Sequence, residues 1–422
     1  MKAVGFGINR FHQLGPQETE GNGAEAVAFP ATGFRDIRCG GSFTVVLTEG
    51  GGIEVVGVVN GRIFPKLTPI PISLPIRVKQ AACGKKHTLL LMEGGVVMSF
   101  GVGFFGQLGH GDDFCHSAPK LIEALNPKQI GAEACMVAAG GSHSAVLFEN
   151  GHLFMFGLNR NSQCGVSARC DSVLMPTLLE GGSEKEGGKG KSSGSSGGGP
   201  SGYGGSRGPS KIIHVVCGRS HSALVTAGGE LYSWGGTTYG RLGVQRTLPK
   251  IQPYPVRVTY FDDKRLQVVK LVTGDFHMVA LCSDGGVYTW GYGSDGQLGQ
   301  ASLFHFRAPK QVDLFADQGV NIVDVECGGL YTTAVDDTGG MWSWGYGDGG
   351  WLGIARTEDG EPPNFESENP TEFPFIEDHE IVATFMSQMC VIVPKQVKQL
   401  IGKAKVLYTR CGDGHCIVAS EG

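Results

Sequence analysis

ACGKKHTLLLMEGGVVMSFGVGFFGQLGHG, residues 82–111, carries two patterns that point to different folds. In its second half, Gly101, Gly103 and Gly106 spell G-x-G-x-x-G, the spacing of a dinucleotide-binding turn. In its first half, the runs TLLLM and VVMSF flank Glu93-Gly94. Apolar and β-branched runs around a turn that tolerates positive φ predict a β-hairpin. A dinucleotide turn must lead from a strand into a helix, with an acidic residue about 20 positions further on. Here the glycines lead instead to QLGHG and a stretch marked by Pro119. The glycines are therefore read as tight turns and close packing positions, not as a phosphate cradle.

The whole unit recurs. AGGSHSAVLFENGHLFMFG (139–157), VCGRSHSALVTAGGELYSWG (216–235) and VTGDFHMVALCSDGGVYTWG (272–291) align with it. ECGGLYTTAVDDTGGMWSWG (326–345) and a weaker RCGGSFTVVLTEGGGIEVVG (38–57) do so as well. RCGDGHCIVASEG (410–422) is a seventh start that stops before its second strand. The glycine-rich tail recurs in GYGSDGQLG (291–299) and GYGDGGWLG (345–353), and more loosely at 5–15, 157–165 and 235–243. A Pro-marked run such as PVRV (255–258) or PKQV (309–312) adds an outer strand near whose start proline is tolerated. Each unit thus reads as a small antiparallel sheet with almost no helix.

Seven such sheets in series predict an all-β, seven-bladed β-propeller of four-stranded antiparallel blades. The ends support a closed ring. KAVGFGINRFHQLG, at the start, is a third strand and its loop without the preceding half; the final unit is a preceding half without its third strand. Pairing the N- and C-terminal segments completes the last blade and removes two open sheet edges. Residues 1–422 are read as a single propeller domain with two insertions. The first, 181–210, is Gly/Ser-rich and reads as a flexible surface loop. The second, 354–390, combines acids with Pro and aromatic residues.

The chain has 422 residues, 35 Lys plus Arg and 40 Asp plus Glu, for a net charge of −5. That balance gives no basic footprint for nucleic acid. No apolar run is long enough to span a membrane, and the start shows no apolar signal-peptide core. The 12 cysteines form no CxxC pair, so no zinc site or disulfide scaffold is expected, and no cofactor. Reduced thiols imply an intracellular protein, cytoplasmic or nuclear.

CGKKHTLLL, SFG and GFFGQLGHG in 83–111, WGYGSDGQLG (290–299) and SWGYGDGGWLG (343–353) resemble the regulator of chromosome condensation repeat family. The resemblance implies a seven-bladed propeller. It also implies one of several roles: exchange factor for the small GTPase Ran, photoreceptor, or interaction domain in ciliary, ubiquitin-ligase and mitochondrial proteins. Fold alone does not choose among them. The family's photoreceptor depends on tryptophan clusters in a GWRHT-like repeat. Here those positions read CGKKHT and CGRSHS, and Trp234, Trp290 and Trp344 are read as blade core residues. The Ran exchanger carries a basic tail and an extra β-wedge, and neither is matched in this sequence.

Within the constant frame, the residues after each Cys-Gly vary: Lys85-Lys86, Arg219-Ser220, Asp275-Phe276, Asp413-Gly414. Variation on a fixed scaffold is where recognition is written. Lys85, Lys86, Arg219, Asp275 and Asp413 are therefore the candidate partner-binding face, with ordinary solvated turns as the competing account. A second candidate is an acidic docking loop in the 354–390 insertion. It comprises Glu358, Asp359, Glu361, Glu366, Glu368, Glu372, Phe373 and Phe375 and suits a basic partner. His87, His143, His221, His277 and His415 hold one repeat position in five units, with Phe43 and Tyr331 in the other two. They are expected to be buried imidazoles hydrogen-bonded to backbone rather than catalytic residues. No carboxylate pair or metal spacing interrupts the repeat. The reading is a non-catalytic protein-interaction module within a larger assembly, cytoskeletal, ciliary or organellar. Guanine nucleotide exchange on a small GTPase is the alternative, in which Asp275 and Asp413 bear on the phosphate or magnesium region.

Overall fold

The computed structural model describes residues 1–16, 25–166, 170–179, 211–354, 390–400 and 404–421. The acidic loop residues Glu358 to Phe375 and the Gly/Ser-rich insertion lie outside the described residues.

Seven four-stranded antiparallel sheets form the blades. Blade two shows the plan: inner strand Val78–Cys83, then His87–Met92, Val97–Gly101 and outer strand His116–Leu121. Blades one, three, four, five and six begin at Phe34, Ala134, Ile212, Val268 and Ile322. Blade seven is shared by the two ends of the chain. Lys2–Gly7 pairs with His415–Ser420 over six residues, and Val406–Cys411 and Val27–Ala28 flank them. Ring closure is thus as expected.

The second strands are buried end to end, as in His87–Met92, His143–Phe148 and His277–Cys282. A strand in the middle of a blade has a neighbouring blade on each face. Its sequence therefore reads as a continuous apolar run rather than an alternation. Each inner strand carries a bulge between its first and third residues. The extra residue turns the third and fifth side chains toward the central channel.

Among the described residues, α-helix is confined to short connections: Pro127–Ile130, Tyr260–Asp263 and Asp313–Asp317. The outer strand read from PKLIEAL starts at His116 and stops at Leu121, and Glu123–Leu125 turns as a 3-10 helix.

The five repeat histidines are fully buried, but their partner differs from the expectation. Their imidazole Nε2 reaches a hydroxyl of the next blade, not backbone. His87 meets Ser144 at 2.9 Å, His143 meets Ser222 at 2.8 Å, and His277 meets Thr332 at 3.1 Å. His415 closes the circuit on Thr44 at 3.2 Å. Each of these hydroxyls donates to the carbonyl of a loop glutamine: Gln107, Gln163, Gln297 or Gln13. The hydroxyl proton being committed, Nε2 donates and the imidazole is the neutral tautomer protonated there. Where blade five has Met278, His221 turns to Thr273 at 2.9 Å. Where blade six has Tyr331, its hydroxyl donates to His415 O at 2.6 Å. The hydroxyl bonds, like the Tyr331 bond to His415 O, tie neighbouring blades together.

This belt explains the Cys-Gly dipeptide. A Cβ on Gly84 would collide with the His87 ring and with Gly140 O. It also answers the question of the G-x-G-x-x-G glycines. Gly103 to Gly109 makes two consecutive tight turns, Gly106 N to Gly103 O at 2.7 Å and Gly109 N to Gly106 O at 2.9 Å. Those turns aim the Gln107 carbonyl at the next blade. Gly109, at φ 75°, lies against the Phe156 ring of that blade. In blades four and six the ring is Trp234 or Trp344, whose Nε1 donates at 3.0 Å to Gln163 O or Gln297 O. Trp290 does the same to Arg241 O at 3.1 Å. The three tryptophans are core residues, as read from the sequence.

Candidate functional site

One face of the ring carries both the Cys-Gly turns and the glycine-rich loops. They are joined there by backbone bonds, including Val102 N to Lys86 O at 2.8 Å and Tyr292 N to Phe276 O at 3.0 Å. All the residues assigned to a partner-binding face lie on it.

Seven turns meet around the axis. The residues after the paired glycines are Gly41, Lys85, Gly141, Arg219, Asp275, Gly329 and Asp413, and all line the channel mouth. The structure brings four of the five predicted residues into one cluster. Lys85 Nζ spans the mouth from blade two to Asp275 Oδ2 of blade five at 2.7 Å and to Asp413 Oδ2 of blade seven at 3.2 Å. Arg219 Nη1 shares Asp275 Oδ2 at 3.2 Å. Burial and the Asp275 charge raise the Asp413 carboxyl, against the lowering pull of Lys85. These groups are thus already engaged with one another, and the mouth beneath them is narrow, about 90 Å³. Lys86 stands apart, exposed, with no ion pair among the described residues.

Below the mouth the channel widens to about 370 Å³. Its wall is two-sided. The third and fifth inner-strand positions carry Lys270, Asp324, Glu326, Arg410, Asp36 and Arg38 on blades five, six, seven and one. These pair across four consecutive blades. Lys270 meets Asp324 at 2.5 Å and Glu326 at 3.4 Å, and Arg410 meets Glu326 at 3.5 Å and Asp36 at 3.2 Å. Arg38 completes the series on Asp36 at 2.7 Å. Burial raises the Glu326 carboxyl, and its Lys270 and Arg410 neighbours overcome that and leave it below the ordinary range. Blades two and three offer Gln80, Ala82, Met136 and Ala138 at the same positions. The sequence reading passed over this network. Its signal was available: charged side chains at the fifth strand position, where sister strands hold Ala or Val, and at the third, where they hold Gln, Met, His or Tyr.

Cys39, Cys83, Cys217, Cys327 and Cys411 end the inner strands and line the channel. None of the cysteines is in a disulfide. Burial pushes the Cys83 and Cys217 thiols up to about 12, which keeps them protonated and unreactive. Among the described residues no group of three or more His, Cys, Asp or Glu is arranged to hold a metal, and no helix is long and apolar enough to cross a membrane.

The same face displays aromatic side chains that sequence reasoning did not single out. Phe11, Phe104, Phe114, Tyr239 and Phe304 are exposed, Phe104 and Phe114 by about two thirds (66% and 67%). They sit in loops that follow the third strands. Phe114 and Phe304 hold one repeat position and Phe11 and Tyr239 another, but the sister loops carry no aromatic there consistently, so the pattern drew no attention to them.

The regulator of chromosome condensation (RCC1) repeat model matches residues 94–147, 228–281 and 284–335, and a second model of that repeat matches 137–163, 212–241 and 268–297. The ultraviolet-B receptor UVR8 of Arabidopsis thaliana is 30% identical over 333 residues, 76% of this chain and 67% of the receptor. A protein RCC2 homolog of Danio rerio is 32% identical over 61% of this chain, which spans half of that relative's length. In the mouse E3 ubiquitin-protein ligase HERC2 the match is 28% identical and covers only 6% of the ligase. Two solved structures share the fold over the full chain: human WBSCR16, at a TM-score of 0.74 and 18% identity over all of its chain, and Saccharomyces cerevisiae Prp20p, at 0.75 and 17% over 92% of its chain. With seven blades built on a shared glycine turn, a hydroxyl-bound histidine in five of them, and the glycine-rich clasp, the chain belongs to the RCC1 repeat family.

Proposed function

We propose that this chain is a non-catalytic protein-interaction propeller whose loop-bearing face docks a protein partner. One observation carries this reading. A rigid ring presents exposed Phe11, Phe104, Phe114, Phe304 and Tyr239, with Lys86 and Arg219, on a single face. Exposed aromatics beside arginine are the residue types that anchor interfaces. The Lys85–Asp275–Asp413 cluster is the centre of that face and sets its shape. It does not offer free carboxylates to a nucleotide or magnesium ion.

The test has two arms. Partners are captured from lysate by crosslinking to the whole chain and to a Phe104→Asp/Phe304→Asp variant, with Ile213→Asp on the opposite face as the control. Loss of a specific partner in the first variant alone supports the reading. In parallel, GDP release is followed from a panel of small GTPases. Acceleration of about a hundredfold for one of them, some 3 kcal/mol in transition-state stabilisation, would replace the scaffold reading with exchange activity. Saccharomyces cerevisiae Prp20p binds Gsp1p and histones. This makes GTPases the first panel to try.

A further inference from the structure

The corner between blades four and five stands out on the loop-bearing face. Tyr239, Tyr292 and His305 pack ring to ring, with centroids 4.7 Å, 4.8 Å and 4.9 Å apart. Phe276 closes the group at 6.2 Å from Tyr239 and 6.0 Å from Tyr292. Two guanidiniums lie over these rings. Arg241 is 4.7 Å from the Phe276 centroid and 5.7 Å from that of Tyr239, and Arg219 is 5.4 Å from Phe276.

Two features set this corner apart from ordinary packing. Arg241 is only 3% exposed, yet its hydrogen bonds go to Ser220 Oγ and Thr238 O, both at 2.8 Å. It has no carboxylate partner among the described residues, because Asp275 is taken by Lys85 and Arg219. Burial lowers it to about 10, so it remains charged at neutral pH. The Asp275 charge acts on it only without contact and is shared with Lys85 and Arg219, so this buried cation gains from a further counter-charge. The second feature is Tyr239 itself. It sits at φ 64°, a left-handed conformation that blade six fills with Gly349 at φ 72°. A tyrosine held in that region is strained, and such strain collects at functional positions. The side chain gained by it is exposed and turned onto the patch.

We infer that this corner is a docking site for an acidic segment of a partner protein, with a carboxylate set on Arg219 and Arg241 and the adjoining residue against Tyr239. The cationic alternative is disfavoured by the same geometry. The aromatic faces that would receive an ammonium group are already covered by guanidiniums. His305 accepts a hydrogen bond from Gly293 N at 3.1 Å through Nδ1, and burial lowers its pKa, so it adds hydrogen bonding rather than charge. This inference rests on the interaction reading above and specifies its partner's chemistry.

The test uses the whole chain and a fluorescein-labelled peptide of Glu, Asp and Gly with one Leu, followed by anisotropy. A Lys-rich peptide of the same length is the control. The acidic probe is expected to bind and the Lys-rich probe to show no saturable signal. Arg219→Glu and Tyr239→Gly should each weaken the acidic probe about tenfold, or about 1.4 kcal/mol. Lys128→Glu, on the opposite face, should leave it unchanged. Tyr239→Gly is safe for the fold because glycine suits that φ, and its thermal midpoint serves as the check. Equal binding of the two probes, no binding of either, or full binding by Arg219→Glu would overturn the inference. Should the acidic probe fail while Phe104→Asp/Phe304→Asp still abolishes partner capture, the interaction reading stands and only this inference falls.

Discussion

Acid should dismantle the ring through its histidine belt. His87 and His415 are lowered by burial to about 4, and His143 and His277 to about 3, from an ordinary 6.5. His221 is lowered well below the ordinary value as well. A folded-state pKa below the unfolded one means that the unfolded chain binds more protons. Stability from these groups is therefore complete above pH 6.5 and is lost as pH falls from there toward 4. At pH 5 each histidine lies 1.5 units below its unfolded value. At about 1.4 kcal/mol per unit this costs about 2 kcal/mol. Five such residues cost about 10 kcal/mol, comparable to the 5–15 kcal/mol that holds a typical domain together. The slope approaches about 7 kcal/mol per pH unit, five protons in one transition. Glu326, lowered by its cationic neighbours, adds to the loss, while Asp413, raised by burial, opposes it. The assay is urea unfolding by tryptophan fluorescence at steps from pH 7.5 to 5, since Trp234, Trp290 and Trp344 report on the core. His87→Phe is the companion variant, because blade one already packs Phe43 against Gly40 in that place. It should flatten the slope by one proton, about 1.4 kcal/mol per pH unit. A stability that stays level between pH 7 and 5, or a His87→Phe slope equal to wild type, would refute the reasoning.

Three further outcomes are expected. Gly84→Ala forces a methyl into the His87 ring and Gly140 O, and should cost about 1–3 kcal/mol in urea unfolding. Trp234→Ala removes a fully buried indole and its bond to Gln163 O, and should cost about 3–5 kcal/mol by the same measurement. Glu326→Gln leaves Lys270 and Arg410 facing each other in the channel without their shared carboxylate. It should cost about 3 kcal/mol, and a Lys270→Met change on top of it should recover part of the loss.

The blade count and the ring closure were legible because a fold repeated seven times writes its pattern seven times. Each local signal, from Glu93-Gly94 at a turn to Gly84 before a histidine, gains weight from its sister copies. The belt's chemistry was only half legible. The histidine position showed in the sequence, but its Ser144 or Ser222 partner belongs to another blade, and that pairing appears only when blades are placed side by side. The same limit explains Lys85, Asp275, Asp413 and Arg219. They read as variable turn residues, and the distance across the axis, which makes them one cluster, is a property of the ring. Tyr239, Tyr292 and His305 escaped notice, and Phe276 read only as a variable turn residue. They come from different positions of blades four and five, so no repeat spacing links them.

Lys2–Gly7 completes a sheet whose other strands come from the far side of the sequence. Residues 2–7 find their long partner at 415–420, more than four hundred residues later. At about 5–20 residues per second, a ribosome needs about 20–80 s to make the stretch between them. Throughout that interval the first strand waits with its hydrogen-bonding edge bare, and six blades form an open arc. The nascent protein is thus most exposed to mispairing and to chaperones until residues 415–420 have been made. A chain cut short before residue 415 yields an arc with two open edges instead of a slightly shorter propeller.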